Sequence, residues 1–312
     1  MKVQLETIHP ELRRFASQMP AMTFSPGNLW FWRLLMKILP VSQKSSGIRI
    51  ENIPIPGPDS RTRLRLRCYR PPSGTRLAGL LWLHGGGYIA GRPEMDDPAC
   101  LHFAREAGIA VVSVDYRTAP ENPFPCALED SYTALKWAAA QAVQLGIDPG
   151  RLAVGGASAG GGLAAALAQA AHDRAEIRLG FQLLVYPMLD DRSLSLPGLD
   201  SRAYLGWDPA SNRFGWQAYL GKHLGATRLP DYAVPARREN LAGLPPAWIG
   251  VGSLDLFHNE DLAYGQRLRE CGVACETITI PGAFHGFDLV GPQLPVVRDF
   301  RASQIAAMLR HL

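Results

Sequence analysis

The sequence contains few cysteines, and none is arranged for a disulfide framework or a zinc site. Five cysteines are scattered over 312 residues, and the closest pair, Cys271 and Cys275, is not spaced as CxxC. The histidines show no metal-ligand spacing either. We therefore expect no structural disulfide and no metal, and this cysteine usage favours a reducing compartment.

The sequence also lacks a secretory signal and an apolar run long enough to span a bilayer. The opening residues, MKVQLETIHP, contain no apolar h-region. The most apolar stretch, Leu29 to Leu39, is too short to span a membrane and contains Arg33 and Lys37. We therefore expect a cytoplasmic protein without stable membrane insertion.

The same stretch has the pattern of an amphipathic helix. Its large apolar side chains recur at helical spacing, at Trp30, Phe31, Leu34, Leu35 and Ile38. We predict that this face covers part of the protein itself, and contact with a membrane surface is the alternative.

Positive charge is spread too thinly to predict a polyanionic partner. The net charge is +4, and this modest excess does not by itself indicate nucleic-acid binding. The densest basic run, Arg61 to Arg70, alternates arginines with apolar residues and has no repeated aromatic interleaving, since Tyr69 is its single aromatic residue. This alternation predicts a half-buried strand whose solvated face bears Arg61, Arg63, Arg65 and Arg67, and we expect no nucleic-acid partner.

The composition is that of a globular chain with a substantial core. Hydrophobic residues make up 47% and charged residues 19%, which excludes intrinsic disorder. From about residue 48, apolar segments of strand length alternate with helical patterns. The predicted strands are 77–83, 109–114, 151–155, 181–186, 247–251 and 276–280, and the predicted helices are 127–145, 159–172 and 297–309. This alternation predicts an α/β fold with a mostly parallel central sheet flanked by helices.

Two segments lie outside this pattern and divide the chain. Residues 1–47 precede the first strand, and residues 190–232 interrupt the alternation. We predict an α/β core formed by residues 48–189 and 233–312. The interruption contains several aromatic residues, at Tyr204, Trp207, Phe214, Trp216 and Tyr219. These predict a lid or a binding wall, and the alternative is that they pack only among themselves.

The segment GASAG, Gly156 to Gly160, places a serine between a predicted strand and a predicted helix. A serine on such a sharp turn projects its hydroxyl group, and the strain requires small neighbours, here Gly156, Ala157, Ala159 and Gly160. The helix start adds free N–H groups and the positive end of a dipole. GxSxG by itself is a weak signal, but this placement makes Ser158 a candidate nucleophile.

The segment LHGGGYIAG follows the first predicted parallel strand and contains three consecutive glycines. Acyl transfer creates an oxyanion, which fixed backbone N–H groups stabilise, and glycines allow the backbone to approach the substrate. We predict an oxyanion hole formed by Gly85, Gly86 and Ala159. The alternative is a dinucleotide fingerprint, since Gly85, Gly87 and Ala90 fit GxGxxA. That motif requires a helix to start at once, and Gly91 and Pro93 interrupt it.

Two further residues follow the last predicted strands. Asp255 lies just past the strand AWIGV, and His285 lies just past the strand ETITI. Ligands bind at the carboxyl ends of the strands in open α/β sheets. The chain order Ser158, Asp255, His285 is that of α/β-hydrolases. We predict that these three residues form a catalytic triad.

These motifs closely resemble those of the hormone-sensitive-lipase-like carboxylesterases, the bacterial family IV esterases of the α/β-hydrolase superfamily. The resemblance covers nearly the whole chain and includes HPELRRF, LHGGGYIAG, VDYRTAPENPFP, GASAG, DLFHNE and HGF. Three departures stand out: Ala157 replaces an aspartate, Leu256-Phe257 replaces Pro-Leu, and Asp96-Asp97 replaces His-Asp. They bear on the shape of the acyl pocket and remove no catalytic group.

The resemblance implies an α/β-hydrolase fold with a helical cap and a carboxylesterase that needs no cofactor. It makes residues 1–47 an N-terminal cap segment and residues 190–232 a cap insertion. It implies that His84 holds the glycine loop and that the substrates are esters of short to medium acyl chains. A homodimer is plausible in this family. The alternatives are an amidase or peptidase with the same triad, and a non-catalytic ligand receptor, which the presence of His285 disfavours.

Overall fold

An eight-stranded sheet organises the chain in a computed structural model, which describes residues 4–20, 22–38, 47–59, 61–72, 76–195 and 199–312. Along the sheet the strand order is β1-β2-β4-β3-β5-β6-β7-β8. The pairs β1–β2 and β2–β4 are antiparallel, and the remaining pairs are parallel. The strands are β1 Arg49–Pro56, β2 Arg63–Arg70, β3 Leu77–Leu83, β4 Ala110–Asp115, β5 Ile147–Ala157, β6 Phe181–Val185, β7 Ala247–Gly252 and β8 Cys275–Ile280.

Helices cover both faces of this sheet. They are α1 Arg13–Gln18, α2 Leu29–Ile38, α3 Asp97–Glu106, α4 Cys126–Ala140, α5 Ala142–Leu145, α6 Ala159–Arg174, α7 Pro209–Leu220, α8 His258–Glu270 and α9 Pro295–His311. Buried residues of α4, α6 and α8 share one core cluster. Those of α1, α3 and α9 share a second cluster, with which they cover the other face. The predicted mostly parallel sheet flanked by helices is therefore confirmed.

The side chains of β3 show how one strand serves both layers. Leu81 and Leu83 belong to the first core cluster, whereas Leu80 and Trp82 belong to the second. Since successive side chains of a strand point to opposite faces, a continuous apolar run indicates a strand that is covered on both sides. This is why the run Leu77–Leu83 predicts β3 to the residue.

One predicted helix is interrupted in the structure. The segment predicted as a single helix over 127–145 forms α4 and α5, which are separated at Gln141, where the backbone leaves helical geometry. The predicted end is confirmed, since Gly146 adopts φ +70° and caps α5. A left-handed residue at this position is most easily glycine.

The predicted solvated face of β2 is wrong at Arg67. This side chain is only 3% exposed, because the start of α3 covers it. Its Nε and Nη2 atoms donate to the two carboxylate oxygens of Asp97, each at 2.8 Å, and Tyr69 Oη donates to Asp97 Oδ1 at 2.5 Å. Alternation identifies the polar face of a strand, but it does not show whether another element covers that face.

The amphipathic helix at Leu29 is confirmed as α2, but the prediction of its inward face is wrong. Trp30 and Ile38 are each 66% exposed, and Phe31 and Leu34 are also exposed. The inward face instead comprises Leu29, Trp32 and Met36, which belong to or pack against the first core cluster. The last residue of the predicted stretch, Leu39, lies outside the described residues.

Arg33 attaches α2 to the rest of the protein. Its Nε donates to the carbonyl oxygen of Ile89 at 2.8 Å, and its Nη2 donates to that of Ala119 at 2.7 Å. A basic residue within an apolar stretch thus holds the helix against two loops of the α/β core. Every helix in the described part of the chain is too short or too polar to cross a bilayer.

The two segments outside the core pattern contact each other. Thr23 Oγ1 donates to Asp208 Oδ2 at 2.5 Å, and the Phe24 amide donates to Ser211 Oγ at 2.8 Å. The rings of Phe24 and Trp207 also lie 5.6 Å apart. Residues 1–3, 21, 39–46 and 196–198 of these segments lie outside the described residues. The described parts join over the carboxyl ends of the parallel strands.

Candidate active site

Ser158 lies on the turn between β5 and α6 in a strained backbone conformation. Its φ of 57° and ψ of −124° lie in a region that L-residues rarely adopt. The strain is held in place because the Ser158 amide donates to Val185 O and its carbonyl accepts from Met188 N, each at 2.9 Å. This geometry lifts the hydroxyl group out of the turn towards the open end of the sheet.

Gly156 and Gly160 make this turn possible. A Cβ at Gly160 would overlap the carbonyl oxygen of Leu83, and one at Gly156 would overlap the carbonyl oxygen of Gly160. The start of α6 therefore lies directly against the end of β3. The two predicted supporting glycines are positions where the backbones approach too closely for a side chain.

The structure brings the three predicted triad residues together. His285 Nε2 lies 2.9 Å from Ser158 Oγ, and His285 Nδ1 lies 2.8 Å from Asp255 Oδ2. The second oxygen of Asp255 accepts a hydrogen bond from the Phe257 amide at 2.9 Å. A carboxylate on Nδ1 makes that nitrogen a donor and leaves Nε2 as the acceptor that faces the hydroxyl group.

The triad is nearly enclosed by protein. Ser158, Asp255 and His285 are 6%, 5% and 8% exposed. Two aromatic rings contact the imidazole ring in an edge-to-face arrangement. The ring centroids of Tyr186 and Phe257 lie 4.8 Å and 5.2 Å from that of His285. These rings restrict the orientation of the imidazole, so that both of its hydrogen bonds persist together.

His84 holds the glycine loop from beneath. Its Nδ1 lies 2.8 Å from the carbonyl oxygen of Gly85, and its ring stacks on Tyr116 at 4.2 Å. The Tyr116 hydroxyl group donates to the His84 carbonyl at 2.6 Å. Burial lowers the pKa of His84 below its ordinary value, so the ring stays neutral and can donate from Nδ1 at neutral pH.

The backbone of the glycine loop reaches the nucleophile. Gly86 has φ +123°, and a Cβ there would overlap the carbonyl oxygen of Ala90. Gly87 has φ +61°, and Trp207 occupies the space of its missing side chain. Gly85, Gly86 and Gly87 all line the same pocket as Ser158. No helix begins at this loop, because α3 starts only at Asp97, and this geometry contradicts the dinucleotide alternative.

A pocket of about 270 Å³ opens in front of Ser158. Its walls come from the sheet, from the N-terminal segment and from the insertion. The N-terminal segment contributes Met19, Pro20, Met22, Phe24 and Met36, and the insertion contributes Gly206 and Trp207. The wall is thus mainly apolar close to the nucleophile, which suits a small acyl or alkyl group.

Among the aromatic residues of the insertion, one lines the pocket and two pack inside the protein. Trp207 lines the pocket, as a binding wall requires. Trp216 and Tyr219 are buried instead, with the Tyr219 ring stacked on Tyr88 at 3.9 Å and the Trp216 ring 5.5 Å from Tyr88. Since Tyr88 directly follows the glycine loop, these two residues attach the insertion to that loop.

Sequence reasoning missed a polar end of the same pocket. Asp96 and Asp288 line it together with Tyr186 and Gln304. Burial raises the pKa of Asp96 to about 7, although the Trp82 indole N–H and the Gly85 amide both act to lower it. The sequence held one signal for this site, since Asp96 stands where the resembled family has histidine.

The described residues contain no cluster of three or more His, Cys, Asp or Glu side chains that could hold a metal ion. The groups near Ser158 are an imidazole, two aromatic rings that pack on it, backbone amides and carboxyl groups. Such a set can transfer protons and stabilise an anion without a further group.

Comparisons with known proteins agree with this site. A family model described as the alpha/beta hydrolase fold matches residues 80–289. Esterase LipI of Mycobacterium tuberculosis is 36% identical, over 82% of this chain and 80% of that protein. Ethyl acetate hydrolase of Pseudomonas putida is 35% identical, over 80% of this chain and 79% of that protein.

A solved structure extends the likeness to the whole chain. A bacterial heroin esterase superposes with a TM-score of 0.90 at 36% identity, over 99% of both chains. The family match spans more than half of this sequence and includes the serine turn and the glycine loop. The chain therefore belongs to the α/β-hydrolase superfamily, and within it to the hormone-sensitive-lipase-like family of carboxylesterases, which are serine hydrolases.

Proposed function

We propose that this enzyme hydrolyses short- to medium-chain acyl esters through an acyl-enzyme intermediate on Ser158. The observation that carries the proposal is the continuous series of hydrogen bonds from Asp255 through His285 to Ser158. This series ends in a small, mainly apolar pocket. Names of relatives such as ethyl acetate hydrolase support an ester as the substrate.

In the acylation half of the proposed mechanism, Ser158 Oγ attacks the ester carbonyl carbon while His285 Nε2 takes the hydroxyl proton. Asp255 keeps His285 in the tautomer that accepts at Nε2 and stabilises the imidazolium that forms. The tetrahedral intermediate collapses when the alcohol leaves with the proton from His285. Ser158 then carries the acyl group as an ester.

In the deacylation half, water replaces the alcohol. His285 takes a proton from the water, whose oxygen attacks the acyl carbon, and the proton passes to Ser158 as the carboxylic acid leaves. The predicted oxyanion donors are the amides of Gly85, Gly86 and Ala159. Because the Gly85 amide also acts on Asp96, Gly86 and Ala159 provide the larger share of this stabilisation in our proposal.

The two segments outside the core form one cap in this proposal. Residues 1–47 and 190–232 join through Thr23–Asp208 and Phe24–Ser211, and together they would bury the acyl chain or the leaving alcohol. The cap also limits substrate length. We expect kcat/KM to be highest for acyl chains that a pocket of about 270 Å³ can hold and to fall steeply towards palmitate.

Loss of the Ser158 hydroxyl group tests the mechanism. Ser158→Ala should abolish turnover of p-nitrophenyl butyrate while leaving the circular dichroism spectrum unchanged. The wild-type protein should be labelled by a fluorophosphonate at Ser158, and mass spectrometry locates the label. Turnover that survives in the variant would refute the nucleophile assignment, and a folded wild-type protein that resists labelling would favour the receptor alternative.

Matched p-nitrophenyl esters and p-nitroanilides distinguish the esterase from an amidase or peptidase with the same triad. We expect kcat/KM to be higher for the ester by several orders of magnitude. Comparable values for the two would instead support the amidase. A homodimer stays a prediction, which light scattering in solution tests directly.

A further inference from the structure

The proposed ester pocket is lined by two carboxyl groups, and the neighbouring guanidinium group of Arg301 donates to the Asp288 backbone carbonyl rather than to its carboxylate. Asp96 and Asp288 both line it, and no lysine or arginine is found among its described lining residues. A substrate that is purely apolar would leave these carboxyl groups without an opposite charge in the pocket. Buried carboxylates are costly unless they are paired or neutralised, so the pocket has a chemical preference that hydrocarbon esters do not satisfy.

Asp96 faces the pocket although it lies deep in the protein. Trp82 Nε1 donates to its Oδ2 at 2.7 Å. Part of the Asp96 surface remains accessible, and the pocket is the space it lines. The carboxyl group is thus held by the indole and by the Gly85 amide, and the accessible surface of Asp96 faces the pocket.

Asp288 lies on the turn that follows His285 and is held in the same way. The Tyr186 hydroxyl group donates to its Oδ1 at 2.7 Å. Its Oδ2 has no donor within the described part of the chain. Gln304, 2% exposed, lines the same end of the pocket with an Nε2 atom that lacks a protein partner. Unpaired polar groups at one end of a cavity indicate a ligand group or water that pairs with them.

Two buried aromatic rings lie at this end of the pocket, each only 1% exposed. Trp82 and Phe103 line the pocket beside Asp96, and their ring centroids are 5.1 Å apart. Aromatic faces attract ammonium groups, and the attraction is strongest where water is excluded. The rings help to exclude water, and an ammonium group at this end would interact chiefly with the carboxylates.

We propose that the enzyme prefers esters that carry a positively charged nitrogen, which Asp96 and Asp288 bind at the polar end of the pocket. This inference rests on the proposed esterase function and narrows its substrate class. It assigns Asp96 and Asp288 to substrate specificity, and it leaves proton transfer to the triad.

The preference should depend on pH in a defined direction. Burial and the neighbouring charge of Asp288 raise the pKa of Asp96 to about 7, against the effect of Trp82. The other ionisable groups around Asp96 are Asp97, which is paired with Arg67, and Cys100, Tyr116 and Tyr186, whose pKa burial raises well above its usual range. Asp96 therefore gains charge between pH 6 and 8, and the preference should increase over that range. His285 also lines the pocket, but it is common to wild type and to both pocket variants.

A pair of isosteric esters measures the preference directly. Acetylcholine carries a permanent positive charge, and neohexyl acetate has the same shape with carbon in place of nitrogen. We expect kcat/KM for acetylcholine to exceed that for neohexyl acetate by about tenfold or more at pH 8. If the charge must lie on the acyl side instead, γ-butyrobetaine ethyl ester should show the same preference over its tert-butyl analogue.

For each variant we compare the ratio of kcat/KM for the charged ester to kcat/KM for its neutral isostere. A loss of activity that affects both esters equally cancels in this ratio, so the ratio reports specificity alone. Asp96→Asn and Asp288→Asn should each lower the ratio at least about threefold, and Asp96→Asn should remove its rise with pH. Asp299→Asn removes an exposed carboxylate of α9 and should leave the ratio unchanged. Ratios near one for both wild-type pairs, or ratios unaffected by both pocket variants, would overturn this inference. If the enzyme hydrolysed none of the four esters, that result would instead count against the proposed esterase function.

Discussion

At the scale of single residues, the site depends on backbone geometry as much as on side chains. Ser158 is held at positive φ, and Gly86 adopts φ +123° under the carbonyl oxygen of Ala90. The conformation of Ser158 costs about 1–3 kcal/mol and persists only where the surroundings determine it, whereas glycine adopts a positive φ without this steric cost. Here the surroundings are β5, β6 and His84, so the geometry of the proposed catalytic site is fixed before a substrate arrives.

A methyl group at Gly86 should disable the enzyme without unfolding it. Gly86→Ala would force the loop away from Ala90 and displace a proposed oxyanion donor. We expect kcat for p-nitrophenyl butyrate to fall on the order of 100-fold. The matched control is Gly108→Ala, at an exposed glycine with φ +63° and open space around it. It should cost about 1 kcal/mol of stability and leave kcat unchanged, and equal losses of kcat in both variants would contradict the assignment.

The ionisation of Asp96 should be visible in stability. Because burial raises its pKa to about 7, the folded state retains the proton over a pH range in which the unfolded state has lost it. The stabilisation from the protonated form is complete below the unfolded pKa and is lost as pH rises through about 7. Asp96→Asn, which cannot ionise, should therefore become more stable relative to wild type between pH 5 and 8, by about 2–3 kcal/mol.

Urea unfolding of the two proteins at a series of pH values measures this difference. Other buried carboxyl groups, including Glu260 and Asp261, titrate in both proteins and so cancel in the comparison. A difference in the free energy of unfolding that stays constant with pH would show that Asp96 does not change its charge over this range.

At the scale of elements, the sequence predicts the parts that periodicity and turn chemistry determine. β3 is predicted to the residue because a continuous apolar run ends at a histidine and three glycines. The turn at Ser158 is predicted because small residues separate a strand from a helix. Neither prediction required knowledge of distant parts of the chain.

The missed features are those that only tertiary contacts decide. Arg67 alternates like a solvated residue, but α3 covers it. The side chains of α2 repeat at helical spacing, but its aromatic Trp30 points to solvent while Trp32 packs inward. Asp96 looks like an ordinary loop carboxylate until the fold places it against Trp82. In each case the local sequence pattern was identified correctly, but this pattern does not contain the information about which other element packs against the residue.

The Arg67–Asp97 pair should be essential to the junction of β2 and α3. Arg67→Ala leaves Asp97 buried without its partner, and breaking a buried pair in this way costs about 3–5 kcal/mol. Arg63→Ala, at an exposed arginine of the same strand, should change stability by less than about 0.5 kcal/mol. Thermal and urea unfolding of both variants provide the comparison, and similar stabilities would show that the pair contributes little.

At the scale of the whole molecule, the pocket is assembled from segments far apart in the chain. The core provides Ser158 and the glycine loop, the N-terminal segment provides Phe24, and the insertion provides Trp207. Hydrogen bonds between Phe24 and Ser211 and between Thr23 and Asp208 join the last two. The shape of the pocket therefore depends on contacts that lie away from the triad.

Loss of the Phe24 ring should enlarge the pocket and weaken substrate binding. Phe24 is 4% exposed and lies next to Trp32 and Trp207. We expect Phe24→Ala to raise KM for p-nitrophenyl butyrate roughly tenfold through lost apolar contact, with a smaller effect on kcat. Phe31→Ala, on the exposed face of α2, should leave both constants unchanged. If kcat instead fell by a larger factor than KM rose, this would show that Phe24 orients the reacting groups.

The order of the strands along the chain has a consequence for biosynthesis and refolding. Ser158, the proposed nucleophile, is translated more than a hundred residues before His285, its proposed base, and His285 follows β8, the strand at the outer edge of the sheet. A growing or partly refolded polypeptide can thus hold its serine turn in place and still be inert. Recovery of ester cleavage would therefore report the docking of β8 and His285. Recovery of the circular dichroism signal would report the formation of the helices and of the rest of the sheet.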